Sequence, residues 1–189
     1  MPQVHTVTAR ASKFARTCDK CSKPIEVGQR HHHWSFRYGG TYYRHVDCGY
    51  PRPSDLTQSK LASVYAARED AEDTLEGLEF VAGETQGSDI IDEINEALNS
   101  VAEAAREVAD EYREAAVNPN TGATFNTDAE ERADELDSYV DNLESWSASA
   151  GDDPDVEDDM SADERQDACD SWLEEVVGEA QDALQELSL

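Results

Sequence analysis

Residues 17–48 read TCDKCSKPIEVGQRHHHWSFRYGGTYYRHVDC. Cys18 and Cys21 open the stretch as a C-x2-C pair, and His45 and Cys48 close it as an H-x2-C pair, with 23 residues between. Two thiolates on one tight knuckle, and an imidazole with a thiolate on another, are the ligand types and spacings of a tetrahedral Zn2+ site. Closing that site requires the intervening chain to double back. Residues 33–38 and 41–44 flank Gly39-Gly40 and read as a β-hairpin with a glycine turn, which returns the second pair over the first. Val4, Thr6 and Thr8 add a further strand candidate. Metal binding of order 10 kcal/mol stabilises a piece too small to build its own core. His31, His32 and His33 alternate across a strand, so at most two face one way, and they read as partly packed and partly exposed side chains.

The surrounding chain is very different. Its 189 residues carry 15 Lys+Arg against 43 Asp+Glu, a net charge of −28. Residues 1–60 hold ten basic and four acidic residues, a balance of +6; the remaining 129 hold five and 39, a balance of −34. A change of sign at one point marks a domain boundary. Only four lysines occur, none after Lys60, against eleven arginines. Abundant acid with scarce lysine resembles the proteins of salt-accumulating halophiles, where molar salt shortens screening to roughly 3 Å. An ordinary acidic helical protein or a disordered acidic tail is the alternative. The acid here is spread over periodic segments, which favours the first reading.

Pro51-Arg52-Pro53 blocks helix and reads as a stiff spacer, and Ser54 and Asp55 can cap a helix beginning just after them. Beyond it the pattern becomes heptad. Leu61, Val64, Arg68, Ala71, Leu75, Leu78 and Ala82 step alternately by three and four. After a glycine-bearing break at 83–87 and a cap at Ser88, the rhythm continues through Ile91, Ile94, Leu98, Val101, Ala105, Val108, Tyr112 and Ala115. The loop at 118–122 precedes a capping box, Thr127 with Glu130, and then Ala129, Ala133, Leu136, Val140 and Leu143. Residues 151–154 close that segment. Ser161 with Glu164 opens the last, carrying Cys169, Leu173, Val176, Ala180, Ala183 and Leu187. This periodicity implies four amphipathic helices of about 22–28 residues. Short loops favour antiparallel neighbours. The seam is rich in alanine, and Trp146 and Trp172 are placed to plug its gaps. The expected fold is mainly α, with a small N-terminal α+β zinc finger at 1–50, a Pro-rich hinge at 51–56 and an acidic four-helix region at 57–189. That region is either an antiparallel helical bundle or coiled-coil hairpins that associate with another copy.

The finger resembles a known family. Cys-x2-Cys followed by Lys-Pro-Ile, then Gly28, an aromatic strand and Tyr-Tyr-Arg-His-x2-Cys, is similar to the zinc finger of poly(ADP-ribose) polymerases, over about 40 residues. That resemblance assigns Cys18, Cys21, His45 and Cys48 as zinc ligands and implies a grip on exposed DNA ends. The family's central loop is several residues longer than the 23 here. The spacing also suits the first half of a LIM module, which binds proteins, although no second C-x2-C comes after it. The remaining chain is similar to uncharacterised small proteins of tailed phages and haloarchaeal viruses, a likeness that implies an origin and no activity.

Basic and aromatic residues interleave in the finger. Arg10, Lys13, Arg16, Lys20, Lys23, Arg30, Arg37 and Arg44, with Trp34, form the candidate nucleic-acid-binding set. The expected function is a non-enzymatic nucleic-acid-binding accessory protein of a halophile or its virus. The alternative is a structural or adaptor protein whose finger docks on protein and whose helices oligomerise. A four-ligand Cys3His site leaves no open coordination position for water, and no phosphate loop, nucleophile elbow or dinucleotide fingerprint occurs. No apolar run approaches the ~20 residues of a membrane span and no signal peptide opens the chain. The expected location is the cytoplasm or a virion.

Self-repulsion among 39 carboxylates loosens the helical region in dilute buffer and is screened by salt. Thermal melts followed by helical circular dichroism are expected to shift upward from low salt to molar KCl; a salt-independent midpoint removes the halophilic reading.

Overall fold

A computed structural model describes residues 2–7, 15–117, 126–149, 154 and 159–186, with backbone alone at 147–149. Thr8, Arg10, Lys13, Phe14, the 118–122 loop, residues 151–153 and Leu187 lie outside these residues. The chain divides into two compact units, Met1–Ala62 and Ser63–Leu189.

The first unit is built from five short strands: β1 (His5–Val7), β2 (Arg16–Thr17), β3 (Pro24–Ile25), β4 (His31–Ser35) and β5 (Thr41–His45). β1, β4 and β5 form an antiparallel sheet in that order, and β2 pairs with β3. The hairpin expected around Gly39-Gly40 is present but its strands are shifted. β4 begins at His31, Ser35 pairs with Thr41, and the turn takes residues 36–40. Gly39 sits where a Cβ would lie 2.6 Å from Gln58 Nε2 and 3.2 Å from Phe36 Cβ. The Gln58 amide is the far end of a flexible side chain and can yield, so Phe36 is the firmer constraint on a larger residue here.

Residues 51–56, expected as a hinge, are held against the sheet inside the first unit. Pro53–Leu56 is a 3-10 turn. Asp55 accepts from Arg52 N–H (2.9 Å) and from Arg44 Nη2 (2.6 Å), and its carbonyl accepts from Trp34 Nε1 (3.1 Å). Trp34 stacks on Tyr42 at 5.7 Å and is 2% exposed; it is the largest fully buried side chain.

The second unit holds α1 (Ala62–Glu76), α2 (Gly87–Ala116), α3 (Thr127–Ser149) and α4 (Ala162–Gln185). α1 has 15 residues and ends at Glu76, well before the expected Ala82. α2 has 30, and its buried stripe runs Ile90, Ile94, Leu98, Val101, Ala105, Val108 and Ala116, widened by Ala102 and Ala109. At its ends the stripe uses Ile90 rather than Ile91, and Ala116 rather than Ala115. A straight helix drifts about 20° per heptad from a 3.5 repeat, so a strict three-four count slips by one residue at either end. Gln86, rather than Ser88, is the N-cap of α2. Asn126 Oδ1 accepts from Ala129 N–H at the start of α3, where Thr127 is already helical. The capping box of Ser161 with Glu164 is formed as expected.

α2 and α3 run antiparallel, as the ion pairs Arg113–Asp137 and Arg106–Glu144 require. These pairs are roughly half-exposed and contribute little, about 0–1 kcal/mol each. Burial carries the contact: Ala129, Ala133, Leu136, Tyr139, Val140, Leu143 and Trp146 of α3 are all buried. α4 departs from a simple antiparallel neighbour. Its C-terminal part meets the middle of α3, where Tyr139 Oη donates to Leu184 O (3.1 Å) and Asn142 Nδ2 to Glu186 Oε2 (2.6 Å). Near its start, Gln166 donates to Phe80 O (2.7 Å) and accepts from Ala82 N–H (3.0 Å), tying α4 to the loop after α1. Trp172 meets Phe80 edge-on at 5.7 Å. Cys169 is buried, and burial pushes its thiol up, as befits an inert packing residue.

Burial pushes the Tyr139 phenol up to about 12, with Arg68 and Glu72 as smaller opposing influences. Tyr139→Phe leaves the Leu184 carbonyl without its partner and is expected to cost about 1–2 kcal/mol. Leu136→Ala, which opens a cavity between α2 and α3, is expected to cost about 2–5 kcal/mol. Chemical denaturation at fixed high salt measures both, and the order of the two effects is the check. The phenol's folded value lies above its ordinary 10.0. Its contribution is therefore complete below pH 10 and is lost as pH rises through 12, a loss absent from Tyr139→Phe.

Candidate metal centre and basic surface

β2 and β3 are short because their purpose is the knuckle between them. Cys18 N–H donates to Lys23 O and Ser22 N–H to Cys18 O, both at 2.9 Å, and Ser22 takes a left-handed φ of 58° to close the turn. Asp19 then clamps this knuckle to β5: its N–H donates to Tyr43 O (2.8 Å), and its carboxylate accepts from Tyr43 N–H (2.6 Å). β5 ends at His45 and runs into the 3-10 turn Val46–Cys48. Gly49, at φ 82°, lets the chain leave that turn with its N–H donating to Val46 O (3.0 Å).

The ligand atoms of Cys18, Cys21, His45 and Cys48 all lie within 4.8 Å of one another. Cys18 Sγ is 3.9 Å from Cys48 Sγ, and His45 Nδ1 is 3.4 Å from Cys21 Sγ and 3.9 Å from Cys48 Sγ. A tetrahedral zinc with bonds of about 2.3 Å to sulfur and 2.0–2.1 Å to nitrogen has edges of about 3.8 Å (S–S) and 3.6 Å (S–N). These four side chains are placed to hold a metal ion. His45 Nε2 lies 3.1 Å from Pro24 O, so donating there fixes the tautomer that leaves Nδ1's lone pair facing the thiols. Only the tertiary contact with β3 supplies this partner.

The electrostatics suit a cation. Burial raises the Cys18 thiol, but backbone donors at Cys21, His45 and Lys20 outweigh it and lower the thiol to about 6. Cys48 goes the other way, up to about 11, through burial and the neighbouring Cys21 and Cys18 sulfurs. For His45, burial is the largest influence and lowers its value; hydrogen bonds to Cys21 and Cys18 outweigh it and raise the net value. Three thiol sulfurs in one place repel further negative charge until a cation joins them.

The proposed nucleic-acid set separates into two groups. Trp34 and Arg44 are corrections: both are buried, Arg44 at 4% exposure. Arg44 is held by Asp55, by Tyr50 O (3.3 Å) and by the face of Trp34 at 5.7 Å. Neither is presented to a partner. Arg16, Lys20, Lys23, Arg30 and Arg37 are exposed, and Arg10 and Lys13 lie outside the described residues. Arg16 lies over the Tyr43 ring and Arg37 over that of Tyr38, each at 5.2 Å. Tyr38, 88% exposed beside Arg37 in the hairpin turn, is a surface aromatic that the candidate set left out. Its place just before the Gly39-Gly40 pair, at the tip of a hairpin, was the available signal.

Comparison of the chain with protein-family models, with curated proteins and with solved structures finds no match in any of the three. No described helix is long and apolar enough to cross a membrane.

Metal loading at neutral pH must displace the proton of Cys48, so proton release is expected, seen as a binding enthalpy that changes with the buffer's ionisation enthalpy. In the metal-free site Cys18 takes up its proton as pH falls through about 6. A bound ion competes with that proton, so release is expected only below this pH, measured by metal content after dialysis at stepped pH. His45→Ala and Cys48→Ser are each expected to lower retained metal by at least tenfold under a competing chelator. Unchanged metal content in His45→Ala removes that residue from the ligand set.

Proposed function

We propose that the first unit is a zinc-stabilised, non-catalytic module that binds nucleic acid, and that the acidic helices form its scaffold. Three thiolates and one imidazole favour zinc among the common divalent ions. Four protein ligands close the coordination sphere, which supports a structural rather than a catalytic ion.

The observation that carries the binding reading is where the charge remains after folding. Two of the four acidic residues of residues 1–60 are occupied within the unit, Asp19 by Tyr43 N–H and Asp55 by Arg44 and Arg52 N–H. Five basic residues of the candidate set, Arg16, Lys20, Lys23, Arg30 and Arg37, stay at the surface, with exposed Tyr38 against Arg37. Exposed cations together with a solvent-facing aromatic are the chemistry for phosphates and unstacked bases. The −34 of the remaining chain opposes an approaching polyanion, but at physiological ionic strength its field decays within ~8 Å. In concentrated salt, phosphate contacts weaken and stacking on Tyr38 carries more of the affinity. The working environment we propose is the salt-rich interior of a halophile or its virus.

A protein partner is the second reading, favoured by Val27 at 62%, Tyr38 at 88% and Tyr50 at 59% exposure. Fluorescence anisotropy of the full zinc-loaded chain with single-stranded DNA, duplex DNA and RNA separates the two. Salt-dependent binding is expected, and Arg37→Ala is expected to reduce the slope of log K against log salt by about 0.7–0.9. Tyr38→Ala is expected to weaken single-strand binding by about 1–3 kcal/mol. No binding to any nucleic acid at low salt, with zinc retained, overturns this reading in favour of a protein partner.

A further inference from the structure

The chain has five histidines, and four of them share one face of the three-stranded sheet. His5, His33 and Tyr43 form one cross-strand rung, and Val7, His31 and His45 form the next. His32 alone points the other way, toward Thr6 and Tyr50. The Cys3His centre uses His45 only. We propose that His5 and His33, with His31 as a third donor, form a second metal site on this face, for a divalent transition ion that prefers imidazole.

Three observations carry it. The His5 and His33 ring centres are 5.3 Å apart. Two imidazoles bound to one tetrahedral ion at about 2.0–2.1 Å have centres about 5 Å apart, so the spacing matches a shared ion, although the rings lie stacked at 28° and one must turn for their nitrogens to converge. His5 is exposed and its ring can turn to converge with its neighbour. His31 lies 6.3 Å from His33, about 1 Å too far, and closes with a small movement.

The nitrogens are also prepared. His33 Nδ1 is buried without a hydrogen-bond partner among the described residues. His31 Nδ1 lies 3.0 Å from Gln29 O; donating there leaves Nε2 as the lone-pair nitrogen, the usual outer-shell arrangement of a metal-bound histidine. Burial lowers the basicity of His33, and the neighbouring His5 and His31 lower it further, against a hydrogen bond with the His5 backbone that raises it. A zinc held by three thiolates and a neutral imidazole carries a net −1, and a nearby second cation offsets it. Arg16, over Tyr43, is the opposing charge.

Ni2+ is the probe, because imidazole accepts it well while the thiolate site retains zinc. The full chain, loaded with zinc, is dialysed against micromolar Ni2+ and both metals are counted by mass spectrometry. About one nickel beyond the zinc is expected in the wild type. His5→Gln, an exposed substitution, is expected to lose the nickel and keep the zinc, which also reports that the unit is folded. His33→Gln is expected to do the same, and Arg16→Ala to tighten nickel several-fold. Absence of nickel in the wild type overturns the site. So does nickel that persists in His5→Gln with zinc intact.

Discussion

The first unit is organised by the need to bring four ligand atoms, drawn from two knuckles 23 residues apart, within 4.8 Å of one another. Several local features of the unit bring these side chains together. β2 and β3 are only two residues each because they frame a turn. β4 and β5 supply the return path, and the Asp19–Tyr43 pair of hydrogen bonds locks the first knuckle to the strand that leads to the second. A segment of this size buries too little apolar surface to hold such an arrangement by packing alone. Trp34, the largest buried side chain among the described residues of the unit, is sealed by Tyr42, Arg44 and Asp55 on the face opposite His45. Its core is therefore two-sided: sulfur and imidazole on one side of the sheet, indole and guanidinium on the other.

This two-sidedness changes the meaning of the basic residues. Arg44 and Trp34 belong to the pattern of alternating cation and aromatic that reads as a nucleic-acid surface. Register decides against them, because residues 32, 34, 42 and 44 face the covered side. A guanidinium buried beside one carboxylate and one indole is a structural element whose removal exposes an uncompensated Asp55. The cations of that pattern left exposed are Arg16, Lys20, Lys23, Arg30 and Arg37, in turns and on or beside the short strands.

The helical unit obeys other rules. Its seam is narrow and rich in alanine, so helices α2 and α3 approach closely along their length, while ion pairs across them stay half-exposed. The heptad count located this interface and missed its ends by one residue, since the helix keeps nearer 3.6 than 3.5 residues per turn. α4 is placed by polar side chains of long reach. Gln166, Tyr139 and Asn142 each satisfy a group far away in the chain. Such partners leave no periodic trace.

The four side chains that gather at the candidate metal centre, the change of charge at residue 60, the four helices and the buried row of α3 were legible in residue order. Each depends on spacing along one segment, and spacing is a local quantity that side-chain chemistry and helix period convert directly into a face or a coordination shell. The packing of the 51–56 segment on the sheet, the burial of Arg44 and Trp34, the short α1, the crossing of α4 and the gathering of four histidines on one sheet face were decided by the tertiary structure. Each of these depends on strand register or on contacts between distant segments. A shift of one residue in register sends a side chain to the opposite face, so no reading of a single strand could have assigned them.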